Sequence, residues 1–253
     1  MKLMLIILIL LGVAVGAINS VAGGGAILLY PVLQLLGVPL LMTNATVAAA
    51  IWPGSLASAI GYRKYLKKLP KRYFLILIPC LLGAITGAML LRHTPDTKLK
   101  IILPILVLFA VALVALQPKI HEYLFKRKAK SRINNPIYLS AISLLTFSIS
   151  VYGGYFGAGF GIIMLALLGM TAIRSIHALN GLKNLTSFTI TGVATIYFSY
   201  YHLIEWKYLP PLIIGTIIGG YLGSTLSTKI PTKTIRSIVI LTGIFVAIYL
   251  FVK

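Results

Sequence analysis

The chain of 253 residues is 59% hydrophobic and 10% charged, with a mean hydropathy of +0.99, which reads as an integral membrane protein rather than a soluble enzyme or binding module. Its 23 Lys and Arg face three acids (Asp96, Glu122, Glu205) for a net charge of +20. In water that excess would suggest nucleic acid. Here the basic residues gather in short loops between apolar runs, which argues for helix orientation and anionic lipid and against nucleic acid.

Ten apolar segments can be read, at about 3–21, 25–38, 41–62, 73–91 and 99–117, then 137–155, 158–171, 177–200, 208–227 and 234–252. Lys2 and the apolar run after it resemble a signal peptide. The run continues to Ala22, however, so it is read as a retained first helix. The run Val21-Ala22-Gly23-Gly24-Gly25 separates segments one and two. Glycine breaks at matching positions of two halves point to a transporter binding site, because opened backbone and helix N-termini can serve an anion. Gly24 and Gly25 are taken as backbone donors on that ground.

Segment three opens with Thr43-Asn44-Ala45-Thr46 and contains Pro53, Ser55 and Ser58. The proline frees a carbonyl or kinks the helix, and the two serines can re-satisfy that backbone. Thr43, Asn44 and Thr46 are read as one polar wall of a site. The loop 63–72 carries Arg63, Lys64, Lys67, Lys68, Lys71 and Arg72, so it is expected in the cytoplasm together with the basic linker 118–135. Cys80 is the one cysteine; it rules out an internal disulfide and a cysteine metal site. Gly12/Gly16, Gly83/Gly87 and Gly215/Gly219/Gly223, each spaced by four, read as helix-packing faces.

The second half repeats the pattern. Tyr152-Gly153-Gly154-Tyr155-Phe156-Gly157-Ala158-Gly159 is its glycine break, and Gly157 and Gly159 are the matching donors. At an offset of 136, Asn44 pairs with Asn180, Gly83 with Gly219, Gly87 with Gly223 and Pro95 with Pro231; at 134, Gly23 pairs with Gly157 and Gly25 with Gly159. The chain therefore reads as a first membrane repeat at 1–117, the linker at 118–135 and a second repeat at 136–253. If the short segments 25–38 and 158–171 cross, each half has five crossings and the repeats are inverted. If they are re-entrant, each has four and the repeats are parallel. The charges favour ten crossings, although ~14 residues rise only ~21 Å against a core of ~30 Å. The expected fold is an all-α polytopic protein of eight to ten segments in two homologous, inverted repeats.

The stretch His177-Ala178-Leu179-Asn180-Gly181-Leu182-Lys183-Asn184 carries the sharpest signal. Lys183 is the charged residue placed well inside a long apolar run, and Asn180 and Asn184, spaced i, i+4, share a helix face beside it. A charge at membrane depth costs at least ~2.5–3.5 kcal/mol, so it faces a cavity or a partner. The plainer alternative is a lysine that snorkels along its stem to the interface. His177 is the one titrating group near the stretch, and a lone interfacial histidine is usually structural. No acid lies deep in a span, which disfavours a carboxylate proton relay or cation site, and no metalloprotease, serine-hydrolase or phosphate-loop pattern occurs.

With those residues in view, the chain resembles the TauE/SafE family of membrane permeases, also described as sulfite exporters. The likeness rests on Ala22–Gly25, on Thr43–Thr46 with Pro53 and the basic loop after it, on Tyr152–Gly161, on Leu179–Asn184 and on Gly219–Ser224. It departs at Gly181, where such families usually have alanine. The resemblance implies transport of a small, often sulfur-containing anion such as sulfite or a sulfonate, or a related organic acid.

The function expected is therefore a non-enzymatic anion permease of the cell membrane, working by alternating access at the repeat interface, with no cofactor and no metal. Lys183 would supply charge, Asn44, Asn180 and Asn184 amide donors, and the glycine breaks backbone donors. Membrane lipid is the expected surrounding partner, and a homo-oligomer is left open. The alternative is a non-transporting membrane scaffold or assembly factor.

Overall fold

A computed structural model describes residues 2–126, 136–227, 237, 239–245 and 247–248. Every regular element among them is helical. The first half contains α1 (Lys2–Val21), a 3-10 turn at Gly25–Leu28 leading into α2 (Leu29–Leu35), α3 (Leu40–Gly61), one basic turn α4 (Arg63–Leu66), α5 (Leu77–Arg92) and α6 (Asp96–Lys126). The second contains α7 (Pro136–Tyr155), α8 (Phe160–Gly169), α9 (Ile176–Tyr200) and α10 (Leu209–Thr225), and the later described positions are again helical. About half of the segment expected at 234–252, together with Lys229, Lys233 and Arg236 and linker residues 127–135, lies outside the described residues. The linker's first part continues α6: helix runs past the expected end at 117 to Lys126. Polarity changes at Pro118, but Lys, Glu and Leu there are good helix formers and extend the helix.

Lys2–Val21, Leu40–Gly61, Lys71–Arg92 and Asp96–Lys119 are long and apolar enough to cross a membrane by length and composition. Their outer faces are apolar as well. Leu3, Ile6 and Leu10 on α1, Ile78 and Leu82 on α5, and Ile101 and Ile105 on α6 are all exposed. A surface of this kind is matched by lipid, and the backbone polar groups are satisfied within the helices. The interior, by contrast, buries Thr43, Asn44, Thr46, Ser55, Ser187, Asn184 and Lys183.

Glycine lets helix backbones touch where no hydrophobic force draws them together. On the α1–α10 seam, a Cβ on Gly12 would lie 2.7 Å from the Leu212 carbonyl oxygen, and one on Gly223 would lie 2.7 Å from the Ala17 Cα. On the α5–α7 seam, a Cβ on Gly83 would lie 2.5 Å from the Phe147 oxygen, and Gly87 abuts Val151 and Tyr155. Residue numbers rise together along both seams, so each pair is parallel. Gly54 beside Thr216 and Gly61 beside Ser224 make α3 and α10 parallel too. Tyr62 against Gly181, the Ser55 and Ser187 hydroxyls at 3.0 Å, and Trp52 against Gly192 run in opposite order, so α3 and α9 are antiparallel.

These directions determine what the short segments do. α1 and α3 both run parallel to α10, so the chain between them must return. The Arg92 guanidinium, 3.5 Å from the centre of the Tyr201 ring, puts the ends of α5 and α9 together. α7 and α9 thus also run the same way, and the chain between them must return as well. The helical part of each return is short: α8 has ten residues, a rise of ~15 Å, about half a hydrocarbon core.

Both returns begin with the same helix stop. Ala22 N–H and Gly23 N–H bond the Ile18 carbonyl at 2.8 and 3.3 Å; Phe156 N–H and Gly157 N–H bond the Tyr152 carbonyl at 2.9 and 3.3 Å. Gly23 and Gly157 have φ of 82° and 76°, left-handed values that a Cβ disfavours.

Candidate functional site

α9 starts where the Ser175 side chain accepts the Ala178 N–H at 3.3 Å, a capping bond that fixes its first turn. Two turns further in lies Lys183. It does not snorkel: its side chain is 1% exposed. Its Nζ donates to the carbonyls of Asn19 and Ser20 at 2.7 and 2.9 Å, and Asn184 Nδ2 donates to Ser20 at 3.0 Å. Those carbonyls end α1. The stop at Gly23 leaves them without helical N–H partners, and a cation at a helix C-terminus meets the negative end of its dipole.

Lys183 lines a closed cavity of about 20 Å³, room for about one water. Asn19 of α1, Val47 and Ile51 of α3, and Ser187 and Thr191 of α9 share its wall. Gly153, Phe156 and Gly157 come from the end of α7, Ala26 and Phe160 from the starts of the two short helices, and Gly161 follows Phe160. The starts of two helices, which carry partial positive charge, thus border the same cavity as Lys183. No carboxylate is among the lining residues.

Gly161 holds the lysine stem in place. A Cβ there would lie 2.8 Å from the Gly23 Cα and 3.2 Å from Lys183 Cδ. Gly161→Ala is expected to displace the ammonium from the α1 carbonyls and to reduce transport more than tenfold, the effect of ~1.4 kcal/mol lost in binding. Wild-type rates for this variant in reconstituted vesicles would show that Lys183 need not be held there.

The other expected site residues divide into groups. Asn44 is the counterpart of Asn180 in sequence, but both ends of its amide are occupied. Nδ2 donates to the Tyr155 carbonyl at 2.5 Å, and Oδ1 accepts the Tyr30 hydroxyl, which also lies 3.1 Å from the Phe156 carbonyl. It closes the end of α7 as Lys183 and Asn184 close the end of α1. Asn180 Oδ1 and Asn184 Oδ1, in contrast, are buried without a partner. Thr43 ties down the turn before α3, donating to Val38 at 3.2 Å and accepting from Gln34 at 2.7 Å. Thr46 accepts the Glu205 N–H at 2.9 Å and ties the turn after α9. Gly157 borders the cavity, whereas Gly24 packs on Val114, Gly25 on Val15 and Asn19, and Gly159 on Ala110 of α6.

The Pro53 region is satisfied partly from α10 and partly from α3 itself. The Thr216 hydroxyl donates to the Ala50 carbonyl at 2.6 Å, and Ser58 donates to Gly54 at 2.8 Å. Ser55 instead meets Ser187 across the two halves. Asn19, Ser20, Phe156, Phe160 and Gly161 were not expected to contribute. Asn19 and Ser20 act through backbone carbonyls, which no side-chain pattern reveals; only their place just before a glycine stop could have pointed to them.

A buried lysine against a cavity bordered by the starts of two short helices, in a fold whose long apolar helices can cross a membrane, is the architecture of a polytopic membrane protein. The chain belongs to the family described as Sulfite exporter TauE/SafE, whose family model it matches over residues 8–250. It is 28% identical over 246 residues to a probable membrane transporter protein of Haemophilus influenzae, covering 94% of this chain and 91% of that protein. It is 26% identical to the probable membrane transporter protein ORF9 of Sinorhizobium sp, covering 93% of this chain and 87% of that one. Against the probable membrane transporter protein YunE of Bacillus subtilis identity is 26%, with 94% and 95% covered. No solved structure matches the chain.

Proposed function

We propose that the chain carries a small anion across the cell membrane, a sulfur oxyanion, a sulfonate or a related organic acid, by alternating access at the interface of its two halves. The observation that carries this reading is Lys183: a cation buried without a carboxylate counterion, against a closed cavity between the halves. An ammonium held only by carbonyl dipoles retains most of its attraction for an anion in a low-dielectric site.

The packing supports an inverted duplication. The contact of Gly83 with Phe147 becomes that of Gly219 with Val13 when the halves are exchanged, and Gly87 with Val151 becomes Gly223 with Ala17. These exchanges use the offsets 136 and 134. The cavity wall obeys the same rule, pairing Val47 with Lys183, Ile51 with Ser187, Asn19 with Gly153 and Ala26 with Phe160. Antiparallel packing of the corresponding helices α3 and α9 supports an axis in the membrane plane, and the two returns support ten crossings over eight. A cavity on such an axis can be exposed to either face by rocking one half against the other, with the Ser55–Ser187 contact near the pivot. Loops 63–72 and 118–135 are then cytoplasmic by their charge.

At two of the paired positions the second half contributes Lys183 and Ser187 where the first has Val47 and Ile51, while the first half contributes Asn19 opposite Gly153. The test is ligand stabilisation of purified protein in detergent over a panel of sulfite, sulfonates and small carboxylates. One anion at 100 times its Kd should stabilise the fold by ~2.7 kcal/mol, and the same anion should drive counterflow in liposomes. A panel that gives neither shift nor counterflow would overturn the reading.

A further inference from the structure

Five buried side-chain polar atoms among the described residues have no hydrogen-bond partner: Ser20 Oγ, Trp52 Nε1, Tyr62 Oη, Asn180 Oδ1 and Asn184 Oδ1. Ser20, Asn184 and Tyr62 lie together at the end of α1, and Asn180 sits one turn before Asn184 on α9. Ser20 gives its carbonyl to Lys183 and Asn184, which brings its own hydroxyl to the same spot. The Tyr62 hydroxyl lies beside the side chains of Ser20 and Ser227. The Tyr62 Cβ is 3.0 Å from where a Cβ on Gly181 would be, so the ring covers the turn of α9 that holds Asn180. A buried polar atom left unsatisfied costs ~1–3 kcal/mol, so two partnerless amide oxygens close to a pair of facing hydroxyls are unexpected in a region built only for packing.

Their arrangement has a direction. His177, Asn180 and Asn184 follow one another on a single face of α9, from its first turn down to the level of Lys183. At the upper end the His177 ring stacks on Tyr65, with centroids 4.7 Å apart, and lies 6.1 Å from Tyr62. Tyr65 also borders an open cavity of about 570 Å³ whose wall includes Lys68, Arg174 and Ser175. A basic, open basin, an aromatic layer and a polar stripe therefore lead in that order to the buried ammonium.

We propose that the stripe His177–Asn180–Asn184, faced by Ser20, is the route by which an anion moves between the basic face and Lys183, and that Tyr62 is the gate across it. The inference rests on the transport reading of the Lys183 cavity. Basic side chains at the mouth concentrate anions by their field. Inside, the two hydroxyls can donate to the anion and the two amide oxygens can accept from its remaining water, so it need not shed all its water at once. Tyr62 is placed to close this route because it caps α3, its N–H bonding the Ser58 carbonyl at 3.2 Å, where the chain turns into α4. A change at that turn would swing the ring away from Ser20.

The experiment uses full-length protein in sealed vesicles of known orientation, with Cys80→Ser removing the native thiol. Asn180→Cys and Ser20→Cys are each exposed to a membrane-impermeant methanethiosulfonate bearing a sulfonate, with Lys67→Cys marking the basic face. Both route cysteines should react from the face that labels Lys67→Cys. Adding Tyr62→Ala should raise their rates about tenfold, the result of lowering an access barrier by ~1.4 kcal/mol. The proposal is overturned if neither cysteine reacts from that face even with Tyr62→Ala, or if both react equally from the opposite face. Labelling does not require transport, so wild-type counterflow in the same vesicles separates the two ideas. Labelling without counterflow would count against the transport reading alone, and counterflow without labelling against the route alone.

Discussion

Lys183→Met is expected to abolish anion counterflow while leaving a folded protein in the membrane. A charge-assisted hydrogen bond is worth ~1.5–3 kcal/mol, and every 1.4 kcal/mol is tenfold, so losing the ammonium's contact with an anion should reduce binding about a hundredfold. Stability should change far less. Methionine removes a buried charge and its desolvation cost, and Asn184 still donates to the Ser20 carbonyl. The Asn19 carbonyl loses its Lys183 donor, at ~1–3 kcal/mol. Thermal unfolding in detergent separates this outcome from simple misfolding. Lys183→Arg should fail as well: the cavity is closed at about 20 Å³, and the lysine stem already passes close to Gly161. A planar guanidinium cannot reproduce a compact ammonium in that space. Full transport by either variant would remove Lys183 from the mechanism.

Gly219→Val should be the most destabilising single change on the α1–α10 seam. Even a Cβ on Gly219 falls on the Val13 carbonyl oxygen and lies 2.7 Å from the Val13 Cα. Backbone cannot rotate away as a side chain can, so the helices must separate along their length. Overpacking a core costs ~1–3 kcal/mol, and here the upper end applies, because lipid supplies no hydrophobic pull to hold the helices together. Gly83→Val should do the same on the α5–α7 seam, against Phe147 and Ser150. Gly24→Ala is the contrast. Its close neighbour is the Val114 Cγ2 at 2.7 Å, the end of a side chain, so the loss should stay within ~1 kcal/mol. Melting temperatures of the three purified variants decide the matter, and a Gly219→Val protein as stable as wild type would refute the seam argument.

Most helices could be read from residues because lipid imposes a simple rule: a long apolar run must be helical to satisfy its own backbone. The expected segments 41–62, 137–155, 177–200 and 208–227 correspond to α3, α7, α9 and α10 within a residue or two. The glycine breaks were legible for an equally local reason, since a run of three glycines cannot continue a helix cheaply. The end of α6 was not, because polarity and helicity part company after Pro118. In the site, Lys183 stood out as a charge in an apolar run. Asn44 and Asn180 looked alike, yet one amide is fully paired and the other leaves its oxygen open. That difference is set by Tyr30 and Tyr155, distant in sequence from Asn44.

The sequence by itself determined that this is a membrane protein of helical passes with a lysine inside one of its long apolar runs. Composition and local backbone chemistry decide those properties residue by residue. Only the tertiary structure decided the directions of the helices, and with them that each short segment returns the chain. It also decided that Lys183 is held by the end of α1, because those partners are backbone carbonyls 163 and 164 positions away. Carbonyls are common to every residue, so nothing in a side-chain pattern marks which of them a lysine will meet; packing makes that choice.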